Sequence, residues 1–144
     1  MATFTKVNDF VEHVAEKVHN LSSDQLVVAL SNTAPASETS NPTADGNGVL
    51  ANVTQITYTN LSSRNITTSS SSVSSGTYQL ALTDLTLTAS GGSVGPFRYV
   101  YIYNDAPTSP ADPLIGYYDY GSSITLNDGE DILIDFAATT ITIA

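Results

Sequence analysis

The chain has 144 residues, no cysteine, and fourteen acidic against four basic side chains, for a formal net charge of -10. This length fits one domain, the missing cysteines exclude disulfides and thiolate metal sites, and the negative charge argues against nucleic acid or anionic lipid as partners. No apolar run is long enough to span a bilayer, and residues 1–6 lack the features of a signal peptide, so we expect no membrane association and synthesis in the cytoplasm.

One amphipathic helix is predicted near the start of the chain, over residues 6–21. Apolar side chains recur there at helical spacing, and Asn20 with the serines after it marks the end. Val11 falls on the apolar face, so we expect it in the core. His13 and His19 are six residues apart, which is the wrong spacing for one helix face and argues against a shared metal site.

The middle of the chain alternates short strands with polar segments. Residues 25–31, QLVVALS, are predicted to form a strand covered on both faces. Residues 32–48 are almost all turn formers and include Pro35 and Pro42, which predicts a flexible loop that either crosses the surface or orders on a neighbour. Strands are expected again at 49–59 and 65–68.

The serine-rich run 69–75 is predicted to be a loose edge segment, because it is polar and has a single valine. Residues 77–88 alternate cleanly, with a change of phase at Thr83–Asp84 that predicts a bulge or a bend. Residues 97–103 carry aromatic side chains on one face and aliphatic ones on the other, which is typical of a central strand.

The last third of the chain contains four more short strands, predicted at 114–118, 123–126, 132–136 and 140–143. Gly121 is expected to make a tight turn, and Ile134 to lie in the core. The segment Asn127-Asp128-Gly129 is a strong hairpin signal and predicts pairing of 124–126 with 132–136. About eight strands and one leading helix, without βαβ alternation, indicate a mainly β fold, an antiparallel β-sandwich or jelly-roll.

No set of residues forms a recognisable catalytic motif, so we predict no enzyme, no cofactor and no metal. The densest acidic cluster offers oxygen ligands of the type calcium prefers, but its turn has a sufficient structural explanation. That cluster consists of Asp128, Glu130, Asp131 and Asp135. The tyrosines are typical of core and cross-strand packing, with a ligand-stacking platform as the alternative.

Four blocks cover most of the chain: FTKVNDFVEHVAEKVHNL at 4–21, VALSNTAP at 28–35, GGSVGPFRYVYIYND at 91–105, and the segment 112–136. Together they resemble a family of small virion structural proteins of tailed bacteriophages. The chain is most similar to capsid decoration, or cement, proteins. That resemblance implies a compact β-domain trimer on the outside of the capsid, over junctions between capsomers.

The resemblance implies that the partners are the major capsid protein and further copies of the chain. Phe4, Pro35 and Pro42 are the predicted contacts with the capsid or a neighbouring subunit, because their segments combine flexibility with apolar or proline residues. A head-to-tail connector or tail component, forming a ring of six or twelve, is the alternative. A host-glycan-binding module is an alternative of another class, and it would use Tyr117, Tyr118 and Tyr120 as a surface aromatic patch.

Overall fold

The computed structural model describes residues 2–137 and 140–144, which form one α-helix and ten strands. The helix α1 spans Asp9–Ala15, and two 3-10 turns lie at Pro35–Ser37 and Leu50–Asn52. The strands are β1 Phe4–Lys6, β2 Leu26–Ser31, β3 Asn65–Ile66, β4 Thr68–Ser74, β5 Thr77–Leu82, β6 Leu85–Thr88, β7 Val94–Asn104, β8 Leu114–Leu126, β9 Asp131–Ile134 and β10 Ile141–Ile143. The predicted mainly β fold with one N-terminal helix is confirmed, with ten strands in place of about eight.

The strands form three antiparallel sheets. The largest has the order β1-β8-β7-β2-β3, the second has the order β10-β5-β4, and the third pairs β6 with β9. Strand β7 lies between β8 and β2, so the prediction of a central strand is confirmed. All six residues of β2 are buried, as its apolar sequence predicted.

One hydrophobic core cluster lies between the sheets in a sandwich-like arrangement. Its largest fully buried side chains include Phe10 from α1 and Phe97 and Tyr101 from β7. Leu80 of β5 and Leu87 of β6 are also fully buried, so all three sheets contribute to the same core. Burial of this apolar surface is the main favourable term in the free energy of folding.

The helix is shorter than the predicted span 6–21. It ends at Ala15, and the chain then turns back through Lys17, which has a left-handed φ of 65°. The buried residues of this short helix are Asp9 and Phe10, whereas Val11 is 53% exposed. The core prediction for Val11 is therefore wrong, because the apolar pattern continued past the real end of the helix. Ile134 is buried, as predicted.

Two predicted local features differ in the structure. Residues 49–59 contain a 3-10 turn and isolated bridges in place of a strand. Gly121 makes no turn, because β8 continues through it with a φ of 96°.

The predicted pairing of 124–126 with 132–136 is wrong. The turn after β8 forms, since the N–H of Glu130 donates to the carbonyl of Asn127 (2.9 Å). However, the N–H of Ala89 donates to the carbonyl of Glu130 (2.9 Å), and this bond directs β9 towards β6. The end of β8 pairs instead with Val94 of β7.

Candidate interaction surface

The three tyrosines predicted as one surface patch lie on both faces of β8. Tyr117 packs against Tyr99 and Tyr101 of β7, with ring centroids 6.4 and 5.4 Å apart. Tyr118 and Tyr120 lie on the opposite face, because side chains alternate along a strand. The structure therefore brings two of the three tyrosines together and separates Tyr117 from them.

Tyr118 and Tyr120 line an apolar groove of about 380 Å³, which we call the tyrosine groove. Phe97 and Val100 of β7, Ile124 of β8 and the whole apolar segment of β9 line it as well. Tyr120 is 56% exposed and Leu133 is 55% exposed, so large apolar side chains at this groove reach solvent. A concave apolar surface with exposed aromatic and aliphatic side chains is suited to receiving apolar groups of a partner.

The tyrosine groove carries one acidic side chain, Asp135. Burial and, to a smaller extent, the negative charge of Asp135 together raise the pKa of Tyr118 to about 12. The Tyr118 hydroxyl is therefore a neutral hydrogen-bonding group at neutral pH.

Phe4 lies beside the tyrosine groove, whereas the two predicted proline contacts do not. Strand β1 pairs with β8, and the Phe4 ring packs against Tyr118 with centroids 5.3 Å apart. Strand β1 can approach β8 this closely because residue 116 is glycine, since a Cβ there would lie 2.5 Å from the carbonyl oxygen of Thr5. Phe4 is half-buried, so part of its ring stays accessible.

Pro35 and Pro42 are buried within the chain, so their side chains do not form part of its surface. The surrounding segment 32–48 is built of turns and is held against α1. The Asp9 carboxylate, 7% exposed, accepts hydrogen bonds from the N–H groups of Gly46 and Gly48, both at 2.8 Å. This role of Asp9 is not predictable from the sequence pattern, because an acidic residue in the first turn of a helix is usually solvated.

The two histidines lie together, contrary to their spacing on a continuous helix. Because α1 ends at Ala15 and the chain reverses, the ring centroids of His13 and His19 are 5.9 Å apart. His19 lines a cavity of about 630 Å³ between the end of α1 and the β4–β5 pair. Burial and, to a smaller extent, the neighbouring His13 lower the pKa of His19 to about 4, against an opposing effect of Asp24.

The acidic turn uses its carboxylates to hold the backbone. Asp128 Oδ1 accepts a hydrogen bond from the N–H of Gly91 (2.8 Å), and Glu130 Oε2 accepts one from the N–H of Asn127 (2.8 Å). Across residues 2–137 and 140–144, no group of three or more His, Cys, Asp or Glu side chains is arranged to hold a metal ion. The same residues include no helix long and apolar enough to cross a membrane.

Comparison with known proteins gives no relative. The chain matches no protein-family model, no curated protein and no solved structure.

Proposed function

We propose that the chain is a structural virion protein that binds the outside of a tailed-phage capsid and cements adjacent capsomers against the pressure of packaged DNA. The observation that carries this proposal is the tyrosine groove, an exposed apolar surface on an acidic chain. The sequence blocks that resemble virion structural proteins support it. We propose no enzymatic activity and no cofactor.

In this proposal, the groove receives an apolar segment of the major capsid protein. Tyr120 and Leu133 supply exposed contact area, and large aromatic side chains often contribute most to such interfaces. A homotrimer would present three grooves at once, and this multivalency would raise the overall affinity for a capsid surface well above that of one groove. The net charge of -10 would keep the protein off DNA.

Removal of an apolar side chain from the groove tests the proposal. We expect Leu133→Ser to weaken binding to expanded capsids that lack the protein about tenfold, as loss of a central contact worth about 1.4 kcal/mol would do. The matched control is Val11→Ser, because Val11 is similarly exposed but lies on α1, outside the groove. Co-sedimentation with capsids measures the binding.

Two results would contradict the capsid proposal: wild-type chain that does not bind expanded capsids, or equal loss of binding for Leu133→Ser and Val11→Ser.

Light scattering on a sizing column measures the mass of the oligomer and so distinguishes a capsid decoration protein from a connector or tail component. A mass of three chains supports decoration of a three-fold position, whereas a ring of six or twelve supports a connector or tail component. Binding to host glycans that is lost in Tyr120→Ala would favour the glycan-binding alternative.

A further inference from the structure

The second sheet ends at β4, and no other strand pairs with its outer side in residues 2–137 and 140–144. Most β4 side chains are exposed, and Val73 is 69% exposed, the largest value for a bulky hydrophobic residue in those ranges. A strand edge of this kind presents backbone N–H and C=O groups that can pair with another strand. Residues 69–75, which were predicted to form a loose edge segment, thus lie mostly in a regular edge strand, β4.

The hairpin between β4 and β5 determines which backbone groups point outward. Its loop is Ser75–Gly76, with φ values of 49° and 81°, typical of a two-residue type I′ turn. The flanking residues Ser74 and Thr77 then exchange backbone hydrogen bonds. Along β4, successive residues direct their backbone N–H and C=O groups alternately towards β5 and away from it. The N–H and C=O groups of Ser71 and Val73 therefore point away from β5.

The sheet that contains β4 has no charged side chain. Every residue between Arg64 and Asp84 is uncharged, and so are residues 141–143 of β10. In a chain with a net charge of -10, two copies meet here with the least like-charge repulsion. Lysine, proline and inward-facing charges, which protect many natural edge strands, are also missing from residues 68–76.

We propose that β4 of one copy pairs with β4 of a second copy, antiparallel about a two-fold axis at Ser72. In this register Ser71 lies opposite the second copy's Val73, and Val73 lies opposite its Ser71. Both pairs then direct their outward N–H and C=O groups at each other, and Ser72 faces its own counterpart across the axis. The irregularity between Thr68 and Ser70 limits the pairing to this central part of β4.

This pairing goes beyond the proposed capsid function and does not depend on it. A two-fold contact is distinct from the three-fold contact of a trimer, so in a trimer β4 would join neighbouring trimers held on one surface. Copies bound side by side have a high effective concentration, which favours a short strand pairing that is weak in dilute solution.

Single cysteines test the register, because the natural chain has none. Ser70 and Ser72 are both exposed and lie on the same face of β4. At a chain concentration of about 1 mM under mild oxidation, we expect Ser72→Cys to form a disulfide-linked dimer at least tenfold faster than Ser70→Cys. The reason is that residue 72 faces itself, whereas residue 70 faces residue 74 of the second copy.

A second substitution tests the backbone pairing. Val73→Pro on the Ser72→Cys background removes an outward N–H without removing a bond to β5, so we expect cross-linking to slow at least tenfold. Circular dichroism checks that the Val73→Pro variant is folded. If that variant does not fold, Val73→Asp is used in its place, because it introduces like charges into the contact. Equal cross-linking of Ser70→Cys and Ser72→Cys, or no effect of either Val73 substitution, would overturn the β4 proposal. Capsid binding and the trimer mass would remain as separate tests of the proposed function.

Discussion

At the scale of single residues, burial disfavours the protonated form of His19, and Asn104 fixes which of its ring nitrogens accepts a hydrogen bond. Its amide cannot rotate freely, because Oδ1 accepts from the N–H of Ala106 (3.1 Å) and Nδ2 donates to Asp24 Oδ2 (2.6 Å). The same Nδ2 lies 3.1 Å from His19 Nδ1, so this ring nitrogen must act as the acceptor. A protonated His19 would place two donors face to face. Its ring therefore stays neutral in the folded chain at neutral pH.

This arrangement predicts a loss of stability in mild acid. The pKa of His19 is lowered from 6.5 to about 4 in the folded chain, so the unfolded chain takes up the proton first as the pH falls. The contribution of His19 to the free energy of unfolding is thus complete above pH 6.5 and declines down to about pH 4. We expect a decline of about 1–2 kcal/mol, after allowance for the partial exposure of the ring.

Urea unfolding measured between pH 7 and pH 4 checks this prediction. The His19→Gln variant is the control, because it lacks the titrating ring and should show a flatter pH dependence over the same interval. An NMR titration of the wild-type chain gives an independent readout. A His19 pKa at or above 6.5 in the folded chain would contradict the role assigned to Asn104.

At the scale of elements, the helix and the loop stabilise each other through Asp9. Helix α1 has only seven residues, fewer than an isolated helix needs to be stable in water. Its Asp9 carboxylate binds the loop at Gly46 and Gly48, and Gly48 has no room for a side chain, since an added Cβ would lie 2.8 Å from Asp9 Cβ. A long polar loop thus obtains a fixed course from one buried carboxylate.

Removal of this carboxylate should loosen the loop. We expect Asp9→Ala to lower the free energy of unfolding by about 2–3 kcal/mol, since two hydrogen bonds to a charged group are lost and a buried N–H stays unpaired. Hydrogen exchange at Gly46 and Gly48 should become faster. Glu12→Ala is the matched control, because Glu12 is an exposed carboxylate on the same helix and should change stability by less than about 0.5 kcal/mol. Similar stability of the two variants would show that the Asp9 contacts contribute little.

At the scale of the whole molecule, the three sheets depend on one core. Strands β6 and β9 form a sheet of only two strands, and such a pair is marginally stable unless it packs against other elements. Leu87 and Ile134 supply that packing in the shared core. The β4 edge lies outside this core, whereas the tyrosine groove has core side chains such as Phe97 and Ile134 at its base and exposed ones such as Tyr120 and Leu133 above them.

A shared core predicts a single cooperative unfolding transition. Tyrosine fluorescence, which reports mainly on β7 and β8 because six of the eight tyrosines lie there, should give the same urea midpoint as circular dichroism, which reports on all three sheets. Because the chain has no cysteine, a reducing agent should leave that midpoint unchanged. Two separate midpoints would show that the second sheet unfolds independently of the first.

Sequence alone predicted the local features that depend on residues close together in the chain. The short apolar run at 25–31 gave the buried strand β2, and alternation with a phase change at Thr83–Asp84 gave β5 and β6 with a break between them. The edge character of 69–75 followed from its polarity. The predicted patch of Tyr117, Tyr118 and Tyr120 is divided between the two faces of β8, and the Phe97, Ile132 and Leu133 side chains that line the groove with Tyr118 and Tyr120 come from two other strands.

Only the tertiary structure decided which strands pair and which side chains meet. The turn at Asn127-Asp128-Gly129 was predicted from its residues, but the partner of β9 depends on a hydrogen bond to Ala89, about forty residues earlier. The end of α1, which brings His13 to His19, was likewise not visible in the apolar pattern, which continues to Leu21, because the chain reverses at Lys17 and the N–H of Val18 donates to the carbonyl of His13 (2.8 Å). Periodicity determines the faces of each element, because that geometry is local. Long-range contacts determine the pairing, because they alone settle which apolar faces are removed from water together.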